Sequence, residues 1–313
     1  MKLAERVVRE PYAREVVAMN DRLRQAPPAE PYTAETLQAA RRRSDDLESL
    51  TSRRVEIRSV VGDSSSVPIR IIHAEEDPTA VLISLHQGGW CFGSAKADDW
   101  LNDILVSGCA VTTIAVDYRL APEHPYPAAL TDIVAVASWL GDNCRSEFGT
   151  DRLIIAGSSA GAHLGAQLLL RLRAERPDVL ARVLAVALAY GAYDIGGTPS
   201  LRTVGKDSPV VNKIVHEQLL DYAFPDLSTE ARRDPAISPL YADVSGMPPT
   251  MFTVGTLDSL LDDTLFMATR WETAGNQTAL EIWPDCDHAF DIFSATIGLK
   301  YAQAATAWFS RFL

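Results

Sequence analysis

A serine, an aspartate and a histidine, each in a short loop after an apolar run, could together perform nucleophilic catalysis. Ser159 lies in Gly157-Ser158-Ser159-Ala160-Gly161, which follows the apolar run Leu153 to Ala156 and leads into a helical run that starts at Ala162. A G-x-S-x-G pattern between a strand and a helix is typical of a nucleophile elbow, which exposes a serine hydroxyl at the end of a strand. Ser158 is a neighbouring competitor, but the register of the pattern assigns the nucleophile to Ser159.

An activated serine needs a base, and the base needs an orienting carboxylate. Only His288 follows the last predicted strand in a short loop, which would place it at the carboxyl edge of a sheet beside the serine. Asp258 also lies in a loop after a strand, whereas Asp262 and Asp263 resemble the first turn of the next helix, where the helix dipole alone favours acidic residues. The predicted triad is therefore Ser159, Asp258 and His288. The remaining histidines are expected to be surface or core residues: His73, His86, His124, His163 and His216.

The glycine-rich loop His86-Gln87-Gly88-Gly89-Trp90 ends another apolar run. Consecutive glycines allow backbone N–H groups to point into a site without obstruction by side chains. The N–H groups of Gly88, Gly89 and Ala160 would then form an oxyanion hole. We also expect Gln87, Trp90 and Ser158 to border the substrate pocket.

Composition limits the partners and cofactors of the 313-residue chain. Its net charge of −12 argues against a nucleic-acid partner and gives no attraction to anionic membranes. No metal and no cofactor is expected, because no H-E-x-x-H, P-loop or dinucleotide-binding motif is present. A charged amino terminus and the lack of a long apolar run predict a cytoplasmic protein. Four cysteines form no C-x-x-C pair and are expected to be free thiols: Cys91, Cys109, Cys144 and Cys286.

The elements that must position these residues follow from hydrophobic periodicity. Short apolar runs alternate with amphipathic helices through residues 51–313, which is typical of a parallel sheet with helices on both faces. Residues 1–50 have apolar positions at helical spacing, among them Val7, Val8 and Tyr12, and predict a helical segment that must pack on the rest of the chain. About sixty residues separate two predicted strands and exceed a normal crossover, so we predict an insertion at about residues 192–236, either a lid or a surface elaboration.

These motifs together resemble the hormone-sensitive-lipase-like branch of bacterial carboxylesterases, also called family IV, from about Val81 to the carboxyl terminus. The resemblance implies an α/β-hydrolase fold, with a mostly parallel eight-stranded sheet flanked by helices, and a cap formed by the N-terminal helices and the insertion. It also allows a homodimer through the last strand and helix. The segments that carry it are His86 to Trp90, Asp117 to Ala129, Gly157 to Ala162, Ser238-Pro239-Leu240, Gly255 to Asp258, and His288.

Three departures from the family pattern bear on the substrate. Gln87 replaces the first glycine of the H-G-G-G loop, where a side chain requires an allowed φ and would either alter the loop or add a polar group near the pocket. Ser158 replaces the aspartate of G-D-S-A-G-G and removes a charge close to the site, and Ala162 replaces its last glycine. We expect a serine carboxylesterase that acts on short- to medium-chain esters through an acyl-enzyme. The alternatives are a natural-product deacetylase, an amidase or an acyltransferase with the same triad, and a ligand-binding relative without catalysis.

Overall fold

The protein is built around one nine-stranded sheet, in a computed structural model that describes residues 4–7, 13–27, 30–46, 51–62, 66–205 and 208–313. The strand order is β1-β9-β8-β7-β6-β4-β5-β3-β2. The pairs β2/β3 and β3/β5 are antiparallel, and all other pairs are parallel. The strands are β1 (Ala4–Val7), β2 (Val55–Val61), β3 (Ser66–Ile72), β4 (Val81–Leu85), β5 (Thr112–Val116), β6 (Leu153–Ser158), β7 (Val183–Ala189), β8 (Thr250–Gly255) and β9 (Thr278–Trp283).

Helices cover both faces of this sheet. Side chains of β6 alternate between two core clusters: Leu153 and Ile155 pack with residues of α4 and α5, while Ile154 and Ala156 pack with residues of α1, α3 and α11. Because β6 is buried on both faces, the turn that follows it is held firmly. The helices are α1 (Ala13–Gln25), α2 (Ala34–Asp45), α3 (Asp99–Cys109), α4 (Ala128–Phe148), α5 (Ala160–Glu175), α6 (Pro177–Leu180), α7 (Pro199–Thr203), α8 (Lys213–Ala223), α9 (Leu261–Thr273), α10 (Phe290–Phe293) and α11 (Ala295–Phe309).

The predicted α/β-hydrolase class is confirmed, and the eight expected strands correspond to β2–β9. The prediction of a helix at the amino terminus is wrong for Val7, which belongs to an additional strand, β1. This strand pairs in parallel with β9. The hydrogen bonds that it forms with the otherwise free N–H and C=O groups of β9 stabilise a strand more than a helical pattern over so few residues would stabilise a helix. Val8 and Tyr12 lie outside the described residues. A helix begins at Ala13, as α1.

The N-terminal segment and the inserted segment contact each other. The N–H of Tyr32, just before α2, donates to Oε1 of Gln218 on α8 (2.6 Å), and Nε2 of Gln218 donates back to the Tyr32 carbonyl (2.8 Å). From α2, Arg41 also donates to the Cys91 carbonyl (2.8 Å), which ties that helix to the glycine loop region. These bonds join two segments that the sequence predicted to be partners. The cap boundaries at residue 50 and at about residues 192–236 stay predictions.

Candidate active site

Four loops that follow parallel strands converge at one edge of the sheet. Ser159 follows β6, the loop with Gly88 follows β4, Asp258 follows β8, and His288 follows β9. Since carboxyl ends of parallel strands lie at the same edge, sequence segments more than a hundred residues apart meet there. The site is therefore a direct product of the sheet topology.

The turn at Ser159 is sharp and strained. Ser159 has φ 53° and ψ −117°, which raises its hydroxyl above the start of α5. A Cβ at Gly157 would lie 2.5 Å from the carbonyl oxygen of Gly161, and a Cβ at Gly161 would collide with the carbonyl oxygen of Leu85. Both glycines are therefore required by close backbone approach, which is the physical reason for the G-x-S-x-G spacing.

The three residues predicted as a triad form a continuous chain of hydrogen bonds. The Ser159 hydroxyl lies 2.9 Å from Nε2 of His288, and Nδ1 of His288 lies 3.1 and 3.0 Å from the two carboxylate oxygens of Asp258. Asp258 is held in turn by the N–H of Leu260, which donates to its Oδ1 (2.8 Å). Asp258 and His288 are both buried. In this arrangement the imidazole can accept the serine proton while the carboxylate fixes its orientation.

Two opposing effects set the proton affinity of His288. Burial lowers its pKa, but the charge of Asp258 and the hydrogen bond to it raise the pKa, with a net result above the ordinary value of 6.5. The same pair was predicted from sequence as base and orienting acid. The competing acids have other partners: Asp263 accepts from the N–H of Tyr193 (2.6 Å), and Asp262 accepts from the N–H of Ser200 (2.8 Å).

A pH profile tests this balance of effects. Below the pKa of His288 the imidazole is protonated and cannot accept the proton of Ser159, so kcat/KM for p-nitrophenyl acetate should fall as the pH decreases. Because the pKa of His288 is raised, we expect the midpoint of this acid limb above 6.5. In Asp258→Asn the raising effect is lost and burial remains, so the residual activity should show a lower midpoint. An unchanged midpoint in this variant would contradict the pairing.

The remaining histidines differ in their surroundings. His163 is buried, accepts from Nε1 of Trp90 (3.1 Å) and donates to the Ile237 carbonyl (2.7 Å). Burial lowers its pKa to about 4, so it is a neutral bridge between the glycine loop and the inserted segment. His216 lies on α8 and lines the cavity described below, and burial lowers its pKa to about 4 as well.

The glycine loop after β4 has the backbone that its sequence implied. Gly88 and Gly89 have φ of 126° and 54°, and a Cβ at Gly88 would collide with the Phe92 carbonyl. Gln87 is not among the residues with positive φ, so the side chain at the first glycine of the family pattern has an allowed φ, whereas Trp90 in the same loop has a φ of 61°. Within the described part of the chain, the N–H groups of Gly88, Gly89 and Ala160 donate to no other group. They are free to hold an oxyanion.

A cavity of about 900 Å³ opens above Ser159 and His288. Gln87 and Trp90 line it, whereas Ser158 is buried outside the lining. Sequence reasoning missed most of the lining, because it comes from separate helices and carries no motif of its own. Residues found in this way are Phe92, Trp100, Val211, His216, Leu219 and Phe293.

Metal and thiol chemistry have no visible site among the described residues. No group of three or more His, Cys, Asp or Glu side chains there could hold a metal ion. All four cysteines are free and buried, and burial raises the pKa of Cys91, Cys144 and Cys286 to about 12. Thiols with such a pKa stay protonated and are poor nucleophiles. No helix within the described ranges is long and apolar enough to cross a membrane.

Known proteins share both the sequence pattern and the architecture. The Abhydrolase_3 family model, an α/β hydrolase fold, matches residues 82–292. The carboxylesterase NlhH of Mycobacterium tuberculosis is 30% identical over 277 residues, which cover 84% of this chain and 85% of that protein. An esterase from the archaeon Pyrobaculum calidifontis has a TM-score of 0.82 at 23% identity over 96% of this chain and 98% of its own. An esterase from the bacterial hormone-sensitive lipase family has a TM-score of 0.76 at 27% identity over 96% of both chains.

Proposed function

The chain belongs to the Abhydrolase_3 family of α/β hydrolases, in the hormone-sensitive-lipase-like branch, and is a carboxylic-ester hydrolase; we propose that it cleaves its esters through an acyl-enzyme on Ser159. The observation that carries this proposal is the unbroken chain from Ser159 through His288 to Asp258, beside a cavity. These are the roles that a serine hydrolase requires of nucleophile, base and orienting acid.

The proposed reaction has two halves. His288 takes the proton of Ser159 as the serine oxygen attacks the ester carbonyl, and the resulting imidazolium is stabilised by Asp258. The N–H groups of Gly88, Gly89 and Ala160 hold the oxyanion until the C–O bond breaks and His288 gives the proton to the departing alcohol. Water then attacks the acyl-enzyme while His288 takes its proton. The bond between the acyl carbon and the Ser159 oxygen breaks, His288 returns the proton to Ser159, and the carboxylic acid leaves. Each oxyanion donor is expected to contribute roughly 10²–10³ in rate.

We further propose that the enzyme prefers short- to medium-chain acyl groups. The cavity of about 900 Å³ has the size of a pocket for one small molecule, and its lining is largely apolar, including Phe92, Val211 and Leu219. Such a lining suits an alkyl chain that must be desolvated, but the volume limits its length. Gln87 adds a polar group to this lining.

Labelling with a fluorophosphonate tests the nucleophile, and a series of p-nitrophenyl esters tests the chain length. The probe should attach covalently to Ser159, because only an activated serine attacks phosphorus at a useful rate. Acetate and butyrate esters should be turned over faster than octanoate, and palmitate should react very slowly. Failure to label Ser159 would sink the mechanism, while fastest turnover of palmitate would refute the acyl preference alone. Turnover of matched amides, or products with added alcohol or amine acceptors, would instead indicate an amidase or an acyltransferase.

A further inference from the structure

A tyrosine and a carboxylate that belong to no predicted motif lie next to His288. The hydroxyl of Tyr190, just after β7, donates to Oδ1 of Asp291 (2.6 Å). The ring of Tyr190 meets the imidazole of His288 edge to face, with centroids 4.9 Å apart and planes at 68°. Tyr190 is fully buried, and its φ of 41° shows that its backbone is held in an uncommon conformation. Asp291 therefore fixes a side chain that packs directly on the catalytic base.

The same place contains the departure at Ser158. Ser158 pairs with Ala189 across β6 and β7, next to Tyr190. Burial raises the pKa of Tyr190 well above its ordinary value, the charge of Asp291 adds to this, and the nearby Ser158 hydroxyl opposes it. Tyr301 on α11 is also buried; burial and then the charge of Asp291 raise its pKa, and the nearby Ser158 hydroxyl opposes this. Ser158, Tyr190, Tyr301 and Asp291 thus form one buried group, which lies beside His288. The family motif places an aspartate at position 158, and here the only acid that bonds to Tyr190 is Asp291 among the described residues.

The charges around this group are mostly acidic. His288 is flanked by Asp258, Asp287 and Asp291, which all raise its pKa, and by the neutral His216 on α8. Burial and then the charges of Asp291 and Asp99 raise the pKa of Asp98, which precedes α3, to about 7. No lysine or arginine is present among the described residues that line the cavity. Within that lining, the imidazolium that forms on His288 during catalysis is the cation next to Asp291. Outside the lining, Arg22 of α1 donates to the Phe293 carbonyl on α10 (3.4 Å), and burial raises the pKa of Asp287 while the charge of Arg24 on α1 lowers it.

We propose that Asp291, acting through Tyr190, is a positioning residue for His288 and supplies beside the nucleophile the negative charge that the family motif carries at position 158. This proposal rests on the proposed acyl-enzyme mechanism. The Tyr190 ring limits the orientations of the imidazole, so that its two nitrogens stay aligned with Ser159 and Asp258. The carboxylate also stabilises the imidazolium of each transition state, as a second charge behind Asp258.

The charge of Asp291 has its own pH range. Burial raises its pKa to about 6. Above that pH the carboxylate is ionised and favours the protonated form of His288; as the pH falls below it, this support is lost. A purely structural Asp291 would leave the titration of His288 unchanged when replaced by an isosteric amide.

The variant Asp291→Asn separates these roles, because asparagine can still accept the bond from Tyr190 but carries no charge. We expect the acid limb of kcat/KM for p-nitrophenyl acetate to move to lower pH by about half a unit or more, and kcat to fall by about tenfold. The matched control is Asp285→Asn, an exposed acid in the loop that contains His288, which should shift the limb much less because water screens it. The proposal would be overturned if the midpoint of the acid limb were the same in Asp291→Asn and wild type. It would also be overturned if Asp291→Asn and Asp285→Asn shifted this midpoint equally.

Moving the charge back to the family position gives a second test. In the double variant Ser158→Asp with Asp291→Asn, a carboxylate again lies beside Tyr190, so the limb should return toward the wild-type pH. In Ser158→Asp alone, the limb should move to higher pH, and this variant decides the matter if Asp291→Asn does not fold. An unchanged limb in Ser158→Asp would refute the charge effect. Fluorophosphonate labelling of every variant reports on Ser159 separately, so a failed nucleophile assignment and a failed Asp291 assignment give different results.

Discussion

Replacing Ser159 by alanine should lower kcat for p-nitrophenyl acetate by about 10⁶-fold while leaving the fold intact. The hydroxyl lies 2.9 Å from Nε2 of His288 and is the only group there that can form the acyl-enzyme in the proposed reaction. Alanine has no nucleophilic atom, so only the oxyanion donors and substrate binding remain to accelerate attack by water. The variant should therefore retain a rate enhancement of roughly 10³–10⁴ over the uncatalysed reaction.

The matched control for this variant is Ser158→Ala. Ser158 is the neighbouring serine, but it is buried outside the cavity and lies close to Tyr190 and Tyr301, while Nε2 of His288 is bonded to Ser159. Its loss should reduce kcat by less than about tenfold. Steady-state kinetics with circular dichroism on both variants would check the pair. If Ser158→Ala were inactive and Ser159→Ala active, the register of the nucleophile elbow would be wrong.

Replacing Asp258 by asparagine should lower kcat by about 10⁴-fold with little change in KM. The carboxylate accepts from Nδ1 of His288 through both oxygens, at 3.1 and 3.0 Å. An amide in its place would present an N–H to that nitrogen, favour the wrong imidazole tautomer and leave the imidazolium without its partner. Binding of the neutral ester does not depend on this charge, so the variant should lower kcat and leave KM nearly unchanged.

Asp262→Asn provides the comparison for this prediction. Asp262 lies four residues further on and accepts from the N–H of Ser200, away from His288. We expect its activity within about threefold of wild type, with a loss of stability of about 1 kcal/mol from the weakened hydrogen bond. Kinetics and thermal melting of both variants would be measured together. An Asp262 variant as inactive as the Asp258 variant would reopen the choice between the two acids.

Local sequence was sufficient for the residues that follow parallel strands. The glycines around Ser159 are required by close backbone contacts within the turn and with the end of β4. The motif alone therefore predicts the geometry of the turn. His288 and Asp258 could be predicted because any loop at the carboxyl end of a parallel strand opens at the same edge of the sheet. The order of strands and loops along the chain therefore determined the α/β class and the choice of the proposed triad.

The tertiary structure alone decided the rest. The strand at Ala4–Val7 exists because β9 offers it an edge, which no local pattern can indicate. Gln87 keeps an allowed φ, because the positive φ angles of this loop fall at Gly88, Gly89 and Trp90.

The charge that is missing at Ser158 is, in our proposal, supplied by Asp291. The contact that brings Asp291 there is not revealed by the sequence. Tyr190 and Asp291 are 101 residues apart, and their hydrogen bond depends on how α10 packs against the end of β7. The sequence by itself thus determined the proposed chemistry, since the candidate catalytic residues are placed by backbone turns. The surroundings of that chemistry were decided by packing between distant segments, because such contacts have no periodicity or spacing along the chain.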